Sequence, residues 1–200
     1  IIIIITIQMT GNQMAETNSK AESTKENFVY NGKVYILGPF DRSISQNVIP
    51  DMVELINLKK REKDPKLEIY INSHGGHAEE LLAMLSMVSM AKKAGIKVIT
   101  YNIGLAYSCG SILAIHGDIR KMYKYADNVA HLGCCGGNYK TFEQIDRVTN
   151  HNKEHFNNIV KWYVDNTKMT KKQVEDMLKD DDMHLNAEKC LKYGFCDEII

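Results

Sequence analysis

Gly104-Leu105-Ala106-Tyr107-Ser108-Cys109-Gly110 sets a hydroxyl between a β-prone run and an apolar helical one. A serine at such a junction sits at a helix N-terminus. There the backbone N–H groups and the helix dipole favour a developing negative charge, as nucleophilic acyl transfer requires. The bland alternative is a serine that only caps the helix. Ile71-Asn72-Ser73-His74-Gly75-Gly76 ends a strand on paired glycines, which permit close backbone approach and supply N–H groups for half an oxyanion hole. A plain strand-to-helix turn would read the same way. His131 closes the apolar pair Val129-Ala130, where a neutral imidazole can act as general base and a structural histidine is equally at home. Asp180-Asp181-Asp182 precedes Met183-His184-Leu185. One carboxylate of that run can orient a histidine, while the others belong to a solvated loop. His74 and His77 flank the glycine turn, and His116 falls near the end of the serine helix.

Two other chemistries fit less well. His131 stands three residues before Cys134-Cys135, but adjacent cysteines rarely share a tetrahedral site and the chain has no C-x2-C pair. Structural zinc is therefore not expected. Cys109 is the weaker nucleophile, because its side chain should point away from the one Ser108 presents.

The chain must hold these groups with 200 residues, enough for one domain plus an arm. Such a domain buries roughly 70% of its unfolded surface and needs no disulfide or metal for that. The 25 basic and 25 acidic residues cancel, giving no global electrostatic reason to bind nucleic acid or an anionic membrane. Five cysteines form no framework pattern, which points to a reducing, cytoplasmic setting. No apolar run reaches the ~18 residues of a membrane helix. The opening IIIIITIQ lacks the basic flank and cleavage site of a signal peptide; it reads as an artefact outside the fold. Residues 9–27 are polar and read as part of a flexible arm over 1–27, with the domain at 28–200.

Strands and helices alternate along that domain. Strands are expected at 34–37, 67–72, 96–101, 121–125 and 129–132. Helices are expected at 43–60, 79–93, after Gly104, and at 141–166, with short ones opening at Thr170 and at Asn186. Thr170 and Gln173 suit a capping box. This is an α/β pattern with right-handed crossovers and a mostly parallel sheet. The helix over 141–166 would span roughly 39 Å, longer than the domain's own core requires, so it should project.

The motifs resemble those of the Clp protease proteolytic-subunit family. They are Tyr70-Ile71-Asn72-Ser73-His74-Gly75-Gly76, Ala106-Tyr107-Ser108-Cys109-Gly110, Val129-Ala130-His131, Asp182-Met183-His184-Leu185-Asn186-Ala187-Glu188 and Tyr193-Gly194-Phe195-Cys196-Asp197. The resemblance covers about 33–200 and implies the Clp/crotonase-like fold of repeated β-β-α units with one projecting helix. It implies Ser108 as nucleophile, His131 as base and Asp182 as third member, although counting from the preceding helix lands on Asp181. Gly76 and Cys109 would supply the oxyanion N–H groups. Gly75, Ala78 and Cys134 would lie where extended segments pair with a substrate strand. No metal or cofactor is implied. The implied partners are copies of the chain in stacked seven-membered rings (a tetradecamer), an AAA+ unfoldase that uses ATP, and unfolded polypeptides.

His74 replaces the family's proline, Leu132-Gly133 its Gln-Pro, Tyr107 a small residue and Cys109 a methionine. These changes suggest a divergent, for example phage-encoded, branch. They also motivate alternatives: a catalytically silent ring subunit, a crotonase-like thioester enzyme, or a maturation or signal-peptide-type peptidase.

Overall fold

A computed structural model describes residues 28–133, 141–179 and 183–200. The expected arm, Cys134 and the Asp180–Asp182 run lie outside the described residues, and of Phe142, Ile145 and Asp146 only the backbone is described.

One eight-stranded sheet organises the chain. Strands β1 (Val29–Tyr30) and β2 (Lys33–Ile36) form an antiparallel edge. A π-helical turn, Ile44–Val48, runs directly into α1 (Ile49–Lys59), so the helix expected over 43–60 has two pitches. Next come β3 (Lys66–Ser73), α2 (Ala78–Lys93) and β4 (Lys97–Tyr107). α3 (Cys109–Ile115), β5 (Ile119–Met122) and β6 (Asp127–Ala130) follow. The chain then builds α4 (Phe142–Asn166), α5 (Lys171–Met177), β7 (Met183–Asn186), α6 (Ala187–Tyr193) and β8 (Glu198–Ile199). Pairing is parallel for β2 with β3, β3 with β4, β4 with β5 and with β6, and β5 with β8. Among the described residues, β1 with β2 and β6 with β7 run antiparallel. The mixed α/β architecture with a mostly parallel sheet is therefore as the alternation implied. Among the described residues no helix is long and apolar enough to cross a membrane.

β4 is where sequence and structure part. A strand ending near Tyr101 was expected, with Gly104 as a turn. The strand instead continues to Tyr107. Asn72 explains this: its Oδ1 accepts the Leu105 N–H at 2.9 Å, and a Cβ on Gly104 would stand 2.6 Å from that oxygen. Gly104 is a close approach inside a strand. The extension also forks the sheet. Residues 99–102 of β4 pair with β5, whereas 105–107 pair with β6.

α3 lies in the fork with all seven residues buried. It packs on β3, β4 and β6, with α2 and α4 against its other sides. A buried polar chain fixes it there: Tyr163 on α4 donates to Ser111 Oγ at 3.0 Å, and Ser111 donates to Asn128 Oδ1 on β6 at 2.7 Å. Such a chain is stabilising only when every member is satisfied. Among the described residues no buried side-chain polar atom lacks a partner. Capping boxes open α4 at Thr141 and α5 at Thr170. The described side chains in the first half of α4 are mostly exposed, while Ile159, Val160 and Tyr163 are buried.

Arg120 fastens the C-terminal segment to β5. It holds Asp197 through Nε at 3.0 Å and Nη2 at 2.5 Å, and donates through Nη1 to Gly194 O at 2.7 Å and to Asn166 O. The Arg120 hydrogen bonds hold the Asp197 carboxyl below its usual 3.8. A depressed folded pKa contributes stability above the unfolded value and loses it as pH falls through the folded value. Asp197 is 42% exposed, so Asp197→Asn should cost about 1 kcal/mol at neutral pH after screening. Denaturant melts should show that gap closing as pH drops below 3.8; a pH-independent gap would rule out the ionised pair as its source.

Candidate active site

Ser108 stands at the junction of β4 and α3 with φ 53° and ψ −116°. These angles match the first central position of a type II′ turn, where glycine is the usual residue. Holding a serine there costs on the order of 1–3 kcal/mol and needs surroundings that leave no other choice. Those surroundings are visible. The Ser108 N–H donates to Val129 O at 2.9 Å, locking the turn to β6, and the Ser108 carbonyl accepts the first α3 bond from Ile112 at 3.1 Å. Its side chain makes no helix-capping hydrogen bond, so the capping alternative has no support.

The paired glycines approach from β3. Gly75 has φ +92° and Gly76 φ +151°. A Cβ on Gly75 would lie 2.5 Å from Ser108 Cβ, and one on Gly76 would lie 2.3 Å from Phe40 O. Backbone bonds from Phe40 N–H to Gly75 O at 2.8 Å and from His77 N–H to Phe40 O at 2.7 Å hold the turn open. Ser73 Oγ accepts the Gly75 N–H at 3.0 Å. Cys109 is the first residue of α3, and its N–H belongs to the turn whose donors have no intrahelical acceptor.

His131 directly follows β6 and lines the same cleft as Ser108, Gly76 and Cys109. Leu81, Leu82 and Ile112 form an apolar wall of that cleft, together with Ile159 and Trp162. Ala78 and Gly133 also border it. Sequence reading missed His155, which lines the cleft from α4; the spacing of His155, Ile159 and Trp162 on one helical face is the signal that was available.

The Cys109 thiol is buried, and burial pushes its pKa up. It donates to Gly76 O at 3.3 Å. His116 caps the end of α3, beside Trp162, with Nδ1 2.6 Å from Ile112 O. Burial lowers its pKa, which keeps it neutral. After Gly76 only His77 is extended before α2 starts at Ala78. The extended segment expected there is thus cut to one residue. Glu79 and Glu80 in the first turn of α2 favour helix at that point.

A serine in a strained strand-to-helix turn, sharing an apolar cleft with a histidine, is a plan shared with hydrolases that work through a serine nucleophile. The chain belongs to the Clp protease family, whose profile matches residues 16–200. Its relatives include ATP-dependent Clp protease proteolytic subunits. That of Streptococcus sanguinis is 28% identical over 173 residues, covering 84% of this chain and 83% of the relative. That of Streptococcus suis is 27% identical over 172 residues with the same coverage, and that of Dehalococcoides mccartyi 26% over 155 residues, covering 74% of this chain and 73% of the relative.

Proposed function

We propose that the chain is a serine endopeptidase, the proteolytic subunit of a ring-forming Clp-type protease supplied with unfolded polypeptide by an ATP-using partner. The observation that carries this reading is Ser108, held at positive φ in a cleft that His131 also lines. In the mechanism Ser108 attacks a peptide carbonyl while His131 takes its proton. The N–H groups of Gly76 and Cys109 stabilise the oxyanion. His131 then protonates the leaving amine, and water releases the acyl-enzyme. Asp182 is the third member of the proposed triad. Its support is the sequence resemblance, in which Asp182 stands three residues before Leu185 as the family's aspartate does. The apolar wall fits an apolar residue before the scissile bond. The exposed half of α4 suits contact between rings.

A fluorophosphonate probe tests this on the assembled full chain. Mass spectrometry should find one adduct, on Ser108. An assembled ring that stays unlabelled under conditions where a related active subunit labels would favour a catalytically silent subunit instead.

A further inference from the structure

Asp127, the first residue of β6, precedes His131 by four residues. Its Oδ2 accepts two hydrogen bonds, from Tyr107 Oη at 2.9 Å and from His184 Nδ1 at 2.6 Å. The donors come from the two strands that flank β6. Register places Tyr107 and His184 both opposite Val129, so the three residues form one row across β4, β6 and β7. Within that row the Tyr107 ring stands edge-on to His184, with centroids 5.7 Å apart, and edge-on to His74 at the same distance. One carboxylate oxygen therefore ties together the residue before Ser108, the strand leading to His131, and β7.

The strain at Ser108 gives this tie a purpose. A residue at φ 53° relaxes unless its neighbours are pinned on both sides. On the C-terminal side the buried helix α3 does the pinning. On the N-terminal side the Ser108 N–H bond to Val129 O is the backbone restraint, and the Tyr107 hydroxyl is the side-chain one. We propose that Asp127 is a positioning residue for Ser108, acting through Tyr107 to hold the nucleophile's turn against β6. Burial and the bond to Asp127 push the Tyr107 hydroxyl up to about 12, so it remains a donor across the working pH range. The catalytic role of Ser108 is taken from the proposed function above, whereas the clamp itself is a matter of geometry.

The test compares the full-length parent with Asp127→Ala, Tyr107→Phe, their combination and Asp127→Asn. Two quantities are read: the inactivation rate and binding constant of the fluorophosphonate at Ser108, and amide exchange over residues 105–109. Each single variant should slow maximal inactivation about tenfold while probe binding stays within about twofold, since each loses the charge-assisted Tyr107–Asp127 bond; Asp127→Ala also loses the His184 bond. The double variant should be no slower than the slower single, because the Tyr107–Asp127 bond is already absent in each. Asp127→Asn keeps an acceptor oxygen and should restore most of the rate. Amide exchange around Ser108 should quicken about tenfold in the alanine and phenylalanine variants. Unchanged exchange, or singles whose effects multiply in the double, would overturn the clamp. Should Asp127→Ala fail to fold, Tyr107→Phe decides alone. If the parent itself does not label, the peptidase reading fails, and exchange still decides the clamp.

Discussion

Replacing Ser108 by alanine should abolish peptide cleavage, with turnover falling by about 10⁴-fold or more, the usual loss when a serine nucleophile is removed. The fold should survive, because α3 keeps its buried face and its polar link through Ser111. A glycine at the same position makes the sharper comparison. Alanine inherits the unfavourable φ of 53°, whereas glycine occupies it without strain. Ser108→Gly should therefore be inactive yet more stable than Ser108→Ala by about 1–3 kcal/mol. A chain of this size would show that as several degrees in melting temperature. Fluorogenic peptide turnover and thermal melts of the two variants check both halves. Equal melting temperatures would mean that the turn stores no strain, and residual turnover near the parent's would remove Ser108 from the chemistry.

Much of this arrangement is legible in the amino-acid sequence. Ser108, His131 and the glycine pair declare themselves as small or polar residues at strand ends. The alternation of apolar runs implies the parallel sheet that brings strand ends together. What stayed hidden has a common cause. Tyr107 meets Asp127 across 20 residues and Asp127 meets His184 across 57, and no local period announces either contact. β7 is absent from the expected strands, because Met183-His184-Leu185-Asn186 is short and takes its strand character from pairing with β6. Gly104 misled for a different reason. A glycine that makes room for a neighbouring side chain looks the same in sequence as one that turns the chain.

Gly75→Ala should cut turnover by about 10²-fold or more while leaving the protein folded. A methyl group at position 75 would stand 2.5 Å from Ser108 Cβ, 2.9 Å from Tyr107 O and 3.1 Å from Ser108 Oγ. All three contacts fall on Ser108 or the peptide that precedes it. None falls on the apolar core, so the cheapest relief is to push Ser108 aside. A displacement of about 1 Å at a reacting atom costs on the order of 10²-fold in rate. Turnover should drop by at least about that factor, with KM nearly unchanged because the apolar wall of the cleft is untouched. The φ of +92° adds backbone strain, so stability should fall by about 1–3 kcal/mol. Gly76→Ala makes the control. Its Cβ would strike the Phe40 backbone at 2.3 Å and so attack the bridge between Phe40 and Gly76. It should show a larger loss of melting temperature than Gly75→Ala. A folded Gly75→Ala protein with the parent's turnover would mean that Ser108 can yield without penalty, and the close packing of glycine against serine would then have no catalytic meaning.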